Sequence, residues 1–244
     1  MSGSCFAERL EHYLPLTAEE KEALARLEEN ERQYRRGAII RRENDPANEM
    51  FVIRSGWMYS YVLLDDGSRQ ILRLHFPGDL VGTSSIAFRE ATDSLVALTD
   101  VKLCPFDKSA LRETYRSHPR LAALFFLIAE AERVSLTDRL ASLGRTSARA
   151  RVAALLLDTI NRVRVMRSEV TDTILLPMTQ EEIGDATGLT SVHVNRMIRA
   201  LVEEGLIARS NSHITILDEE RLERVANYIN RYAELDTSWL PAPS

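Results

Sequence analysis

The sequence predicts an α+β chain in three successive parts: a barrel or jelly roll of short strands, one long helix, and a C-terminal unit of two short helices followed by a β-hairpin. Three observations carry this reading. Short apolar runs separated by turn signals fill residues 38–107, an unbroken helical pattern follows Pro119, and helix-capping residues bracket residues 178–201.

In the first part the runs AII, MFVI, WMYSYVLL, QILRLHF, LVGTSSI, SLVALTD and VKLCPF have all-β texture. Asp65-Asp66-Gly67 lies between two of them and suits the positive φ angles of a tight hairpin turn. Pro77-Gly78-Asp79 marks another turn, and the even spacing of short strands favours a barrel or jelly roll over a βαβ sheet.

After Ser117 and His118, the stretch from Pro119 to Leu143 contains no Gly and no further Pro, so it predicts a long helix ending at Gly144. Leu121, Leu124, Phe125, Ile128, Ala131, Ser135 and Leu136 recur at three- and four-residue steps and form a broad apolar stripe. A helix can use such a stripe to pack on its own barrel. The width of this one favours pairing with the same helix of a second chain, through Leu121, Leu124, Phe125, Ile128, Ala131 and Ser135. ARARVAALLLDTINRVRVM is helical again, TDTILLPMTQ reads as a strand and turn, and the tail TSWLPAPS reads as a loosely held end. The expected domains are residues 1–117, a connecting helix at 118–144, and residues 145–244.

The segment MTQEEIGDATGLTSVHVNRMIRAL carries the function. Thr179 is an N-cap with Glu182 completing a capping box, Gln180 to Ala186 form a first helix, Gly188 breaks it, and Thr190 caps a second helix. Val194, Met197, Ile198 and Leu201 make the apolar face of that second helix. Ser191, His193, Asn195, Arg196 and Arg199 remain on its other faces. EEGLIARSNSHITILD then supplies a Gly, a strand, a Ser210-Asn211-Ser212 turn and a second strand, which is a wing. Two capped helices and a wing, in that order, make a winged helix-turn-helix, whose second helix enters the DNA major groove. Arginine can donate two parallel hydrogen bonds to guanine, so Arg196 is the expected base reader, with His193 and Asn195 beside it. Thr179, Gln180 and the wing around Asn211 are expected on phosphates.

Composition neither helps nor forbids this. The net charge of -5 argues against nonspecific coating of nucleic acid, yet a local basic patch remains compatible with it. The two cysteines, Cys5 and Cys104, stand in no metal or disulfide spacing, and His75 and His118 have no partners at ligand spacing. No cofactor, metal site, membrane segment or signal peptide is expected, and the cytoplasm is the expected compartment. Nor is catalysis, because no nucleophile–base pair or phosphate-cradling glycine loop is present.

With these elements in place, the chain resembles the Crp/Fnr family of bacterial regulators related to the cyclic-AMP receptor protein. FVIRSGWMYSYVLLDDGSRQILRLHFPGDLVG resembles that family's cyclic-nucleotide-binding-type β-roll and its Pro-Gly-Asp turn, and residues 178–216 resemble its winged helix. The resemblance implies a homodimer joined by the long helix that binds near-palindromic promoter DNA and contacts RNA polymerase.

It also departs from the family. Cyclic-AMP-binding members place a glycine-glutamate pair and an arginine-serine pair after that turn. Gly82 and Ser94 match, but Thr83 stands for the glutamate and Asp93 for the arginine. An aspartate facing a phosphate repels it, so cyclic AMP is not expected, and Arg89 is the only nearby cation that the sequence offers. Iron–sulfur ligation needs about four thiolates, more than Cys5 and Cys104 supply. Cys104, on a strand, is expected to be a buried small hydrophobe. Val192 replaces the glutamate familiar in the first turn of the recognition helix, so the preferred DNA sequence should differ from the best-known one. The competing reading is a ligand-sensing module that acts through protein partners without DNA.

Overall fold

The computed structural model describes residues 3–166, 169–233 and 235–243. The elements, in order, are α1 (Cys5–Glu11), α2 (Ala18–Arg26), β1 (Arg32–Tyr34), β2 (Ile39–Arg41), β3 (Glu49–Ser55), β4 (Met58–Leu63), β5 (Arg69–His75) and β6 (Leu80–Val81). A 3-10 turn (Thr83–Ile86), β7 (Ser94–Ala97), β8 (Val101–Asp107), α3 (Lys108–Ser117), α4 (Pro119–Arg145) and α5 (Ala148–Met166) come next. The chain continues with β9 (Thr173–Leu175), α6 (Gln180–Thr187), α7 (Ser191–Glu203), β10 (Ile207–Ser210), β11 (His213–Ile216) and α8 (Glu219–Ala226).

The β part is two antiparallel four-stranded sheets, ordered β1-β8-β3-β6 and β2-β7-β4-β5. Their inner faces meet over Phe51, Ile53, Met58, Leu95 and Leu103, as alternating inward side chains of a roll require. Both expected turns form. Gly67 has φ 81° and donates its N–H to Leu64 O at 2.8 Å. At the second turn, Gly78 has φ 79° and the Asp79 carboxylate accepts the Phe76 N–H at 2.9 Å. Asp79 is itself held by Arg9 of α1 in a buried ion pair of 2.9 Å.

The chain divides into two compact units: Met1–Val62, Arg73–Glu130 and Leu235–Ser244 in one, Leu63–Leu72 and Ala131–Glu234 in the other. This division does not follow the linear domain order expected from sequence. The tip of the β4–β5 hairpin groups with the second unit, and the tail groups with the first.

Two sequence expectations are corrected here. The stripe residues Leu121 and Leu124 are fully buried and Phe125 nearly so, in a core of the same chain that includes Phe6, Leu10, Leu24, Val52 and Cys104. Full burial of a leucine stabilises by roughly 1.5–3 kcal/mol, so these side chains hold α4 to its own unit and offer nothing to a second chain. Ala131 is also buried, Ile128 packs on the edge of the core, and Ser135 is half-buried. The tail is not loose either. Leu235 and Leu240 pack on that core, and Asp236 turns the chain by accepting from the Ser238 N–H at 2.9 Å. Apolar residues among the tail's prolines found a surface that sequence pattern alone does not reveal.

Candidate nucleic-acid interface and sensor pocket

The helix-turn-helix is built by local rules. The Thr179 hydroxyl accepts the Glu182 N–H at 3.1 Å, and the Glu182 carboxylate accepts the Thr179 N–H at 2.7 Å, closing the capping box of α6. Gly188 ends the helix at φ 66°. Gly184 is required for a different reason: a Cβ there would stand 2.3 Å from Leu189 O, so only glycine lets the turn approach α6. Thr190 then caps α7 by accepting the His193 N–H at 3.3 Å.

Val194, Ile198 and Leu201 of α7 are buried, which fixes its rotation. Ser191, Val192, His193, Arg196 and Arg199 are exposed and Asn195 is half-buried. Val192, Asn195, Arg196 and Arg199 fall at i, i+3, i+4 and i+7 and therefore share one stripe of the helix. Val192 is 78% exposed, an unusual degree for an apolar side chain on a helix that buries its other face. Gln180 donates to Asn195 Oδ1 at 3.4 Å, which joins the first helix to that stripe.

The wing is the hairpin β10–β11, extended by β9 into a three-stranded sheet and turned at Asn211, whose φ of 53° asparagine tolerates well. A groove of about 460 Å³ separates α7 from the wing, lined in part by Asn195, Arg199, Arg209 and Asn211. Arg209 adds a cation beyond those that the helix pattern predicts. It is an exposed cation on a wing strand, and its position in the hairpin was the signal that could have found it. Helix, groove and wing together expose Arg196, Arg199 and Arg209, with Glu203 also lining the groove, and this local excess of cations suits a polyanion.

The segment from Gly82 to Ser94 folds around the 3-10 turn. Gly82 caps that turn at φ 77°, Thr83 is exposed, and Ser94 is buried with its hydroxyl accepting the Glu43 N–H at 2.9 Å. Arg89 instead lines an outer groove of about 450 Å³ with Glu43, Asn44, Phe88, Glu90, Ala91 and Thr92. The cation beside this segment is Arg41 of β2, which corrects the expectation that Arg89 was the only one nearby. Arg41 is 7% exposed, and a Cβ on Gly82 would lie 3.0 and 3.2 Å from its two terminal nitrogens. Burial pushes its guanidinium below the ordinary value while Asp93 and Asp45 oppose that. Burial likewise raises the Asp93 carboxyl, against the pull of Arg41, Ser60 and Thr92. No pattern in the sequence links β2 to residues 82–94; strand pairing of β2 with β7 does.

Cys104 is fully buried and its thiol is pushed up to about 11, chiefly by burial.

The cyclic nucleotide-binding domain family matches residues 31–118, and the Crp-like helix-turn-helix domain family matches residues 150–225. The chain is 33% identical to the nitrogen fixation regulation protein FixK of Bradyrhizobium diazoefficiens over 78% of its own length and 79% of that protein. The chain belongs to the Crp/Fnr family. Within it, the chain is 25% identical to the fumarate and nitrate reduction regulatory protein of Escherichia coli, covering 90% of this chain and 88% of that protein. The structure of FixK2 from Bradyrhizobium japonicum matches with a TM-score of 0.73 at 29% identity, over 82% of this chain and 98% of that one. Crp/Fnr chains are regulators of transcription, and this one is a DNA-binding transcription regulator with a cyclic-nucleotide-binding-type β domain and a Crp-like helix-turn-helix. No helix of the described residues is long and apolar enough to cross a membrane.

Proposed function

We propose that this Crp/Fnr regulator is a cytoplasmic homodimer that binds a near-palindromic promoter site and activates transcription by contacting RNA polymerase, acting by binding rather than catalysis. Residues 1–117 would sense, residues 118–144 would join the two chains, and residues 145–244 would read DNA. The observation that carries the reading is the exposed stripe of α7, where Arg196 and Arg199 stand opposite the buried Val194, Ile198 and Leu201.

In this reading Arg196 reads a guanine in the major groove, with Ser191, His193 and Asn195 reaching neighbouring bases and Arg199 the flanking backbone. Thr179, Gln180, Thr190, Asn211 and the newly found Arg209 hold phosphates. The dimer seam lies one face round α4 from the stripe predicted by sequence. Phe126, Ala129, Leu136 and Leu140 follow alternating three-, seven- and four-residue steps compatible with a heptad seam, and all four are exposed. Cyclic AMP is not the effector in this reading, because Asp93 repels its phosphate and Thr83 gives its ribose no carboxylate.

The test is a mobility-shift titration with promoter fragments, run beside sedimentation. A dimer that retards selected fragments in the presence of excess nonspecific DNA supports the reading. A chain that is folded but shifts no fragment points instead to a module acting through protein partners.

A further inference from the structure

We propose that Val192 is a second sequence-reading residue of α7, packing its methyl groups on the 5-methyl of a thymine in a T·A pair near the guanine that Arg196 reads. This rests on the reading of α7 as the helix that enters the major groove, and it names a further base that the helix selects.

The fold makes no use of this valine. It is 78% exposed in the first turn of α7, while Val194, Ile198 and Leu201 are buried on the opposite side. A β-branched residue is a weaker helix former than most, and its methyls here stand in water rather than in the core. Capping belongs to Thr190, whose hydroxyl accepts the His193 N–H at 3.3 Å. The dipole at a helix N-terminus favours an acidic residue, yet the first turn of α7 holds none. Local stability therefore argues for another residue at this place, and contact with a partner is what an exposed valine supplies.

Position and chemistry specify the base. Val192 and Arg196 are four residues apart on one stripe, and the N-terminal residues of a recognition helix are those that meet base edges. Four residues rise about 6 Å along a helix and bases stack about 3.4 Å apart, so the two side chains meet base pairs about two steps apart. In the major groove thymine alone presents an apolar group, its 5-methyl, to a side chain that can neither donate nor accept. Cytosine in the same place would turn its N4 donors toward methyl groups that offer no acceptor. Ser191 and His193, the exposed neighbours of Val192, are both polar, so the methyl contact falls to Val192. Its branched Cβ holds one χ1 rotamer in a helix, which presents the methyls at little cost in side-chain entropy.

The experiment removes the methyl from the DNA and the valine from the protein, separately and together. A site is selected from a random DNA pool by the full-length protein, and each thymine of a half-site is then replaced in turn by deoxyuridine, which lacks only the 5-methyl. Affinities for these duplexes are measured by fluorescence anisotropy at fixed salt with the parent and with Val192→Ala. One thymine in each half-site should be methyl-dependent in the parent, its replacement weakening binding about fourfold, the equivalent of one buried methyl. The same replacement should leave the affinity of Val192→Ala unchanged. A half-site in which no thymine is methyl-dependent overturns the proposal, and so does a methyl-dependence equal in parent and Val192→Ala. Either result with a selected site in hand counts against Val192 alone. Failure of the folded parent to select any site counts against the major-groove reading, and the proposal falls with it.

Discussion

Arg69, the first residue of β5, grips Asp185 in the last turn of α6, with its Nη2 2.6 Å and its Nε 2.7 Å from one carboxylate oxygen. Gln70 adds a donation to Asp185 O at 2.7 Å, and Arg139 of α4 donates to Ile71 O at 2.8 Å and to Ala186 O at 2.7 Å. The last carbonyls of a helix have no partner within it, so these side chains satisfy the end of α6 from outside. Both charged groups of the pair are mostly buried. Asp185→Asn should therefore lower stability by about 1–2 kcal/mol in denaturant unfolding while leaving the exposed stripe of α7 untouched. An unchanged midpoint would show that the hairpin tip does not brace the helix.

The α4 seam predicts a clean separation between two kinds of substitution. Leu140→Glu, at a position 71% exposed, should give folded monomers at half the sedimenting mass. Ile128→Glu should instead lower the melting temperature, because Ile128 packs on its own core. Leu140→Glu protein that remains dimeric would remove the seam.

The Arg9–Asp79 pair predicts a large stability loss from one atom's change. Both side chains are almost fully buried, and removing one partner of such a pair strands the other's charge. Asp79→Asn should destabilise by about 3–5 kcal/mol, read by urea unfolding. A change under about 1 kcal/mol, the range of exposed pairs, would mean that the turn is held by its backbone alone.

Asp93 gives a pH prediction. Its carboxyl is raised on folding, by burial first, so the stability it contributes is present at low pH and is lost as pH rises through its folded value. Asp93→Asn removes the ionisation. Relative to the parent, the variant should gain melting temperature as pH increases from the acid side toward neutrality. A gap that shrinks with rising pH would reverse the sign and assign Asp93 a stabilising ion pair instead.

The fold's order and the helix-turn-helix were legible because their signals are local: Thr179 with Glu182, Gly188, Thr190 and the period of Val194, Ile198 and Leu201 all act within a few residues. The setting of residues 82–94 was half legible. Gly82, Thr83, Asp93 and Ser94 lie on one continuous segment, whereas Arg41 reaches them only through the pairing of β2 with β7. The face of α4 was misread for the same reason. Periodicity identifies an apolar stripe but not its partner, and Leu121, Leu124 and Phe125 meet Phe6 and Leu24 from elements about a hundred residues away in the chain.

The central claim is that α7 reads sequence through Arg196, and selection of bound sites from a random DNA pool by the parent and by Arg196→Ala tests it most directly. The parent should yield two half-sites about 10–10.5 base pairs apart, centre to centre. The variant should bind about 1–3 kcal/mol more weakly per half-site and lose preference at one base pair in each, symmetrically. Uniformly weakened binding with the same selected sequence would contradict the account, placing Arg196 on phosphate and moving the reader to Ser191, His193 or Asn195.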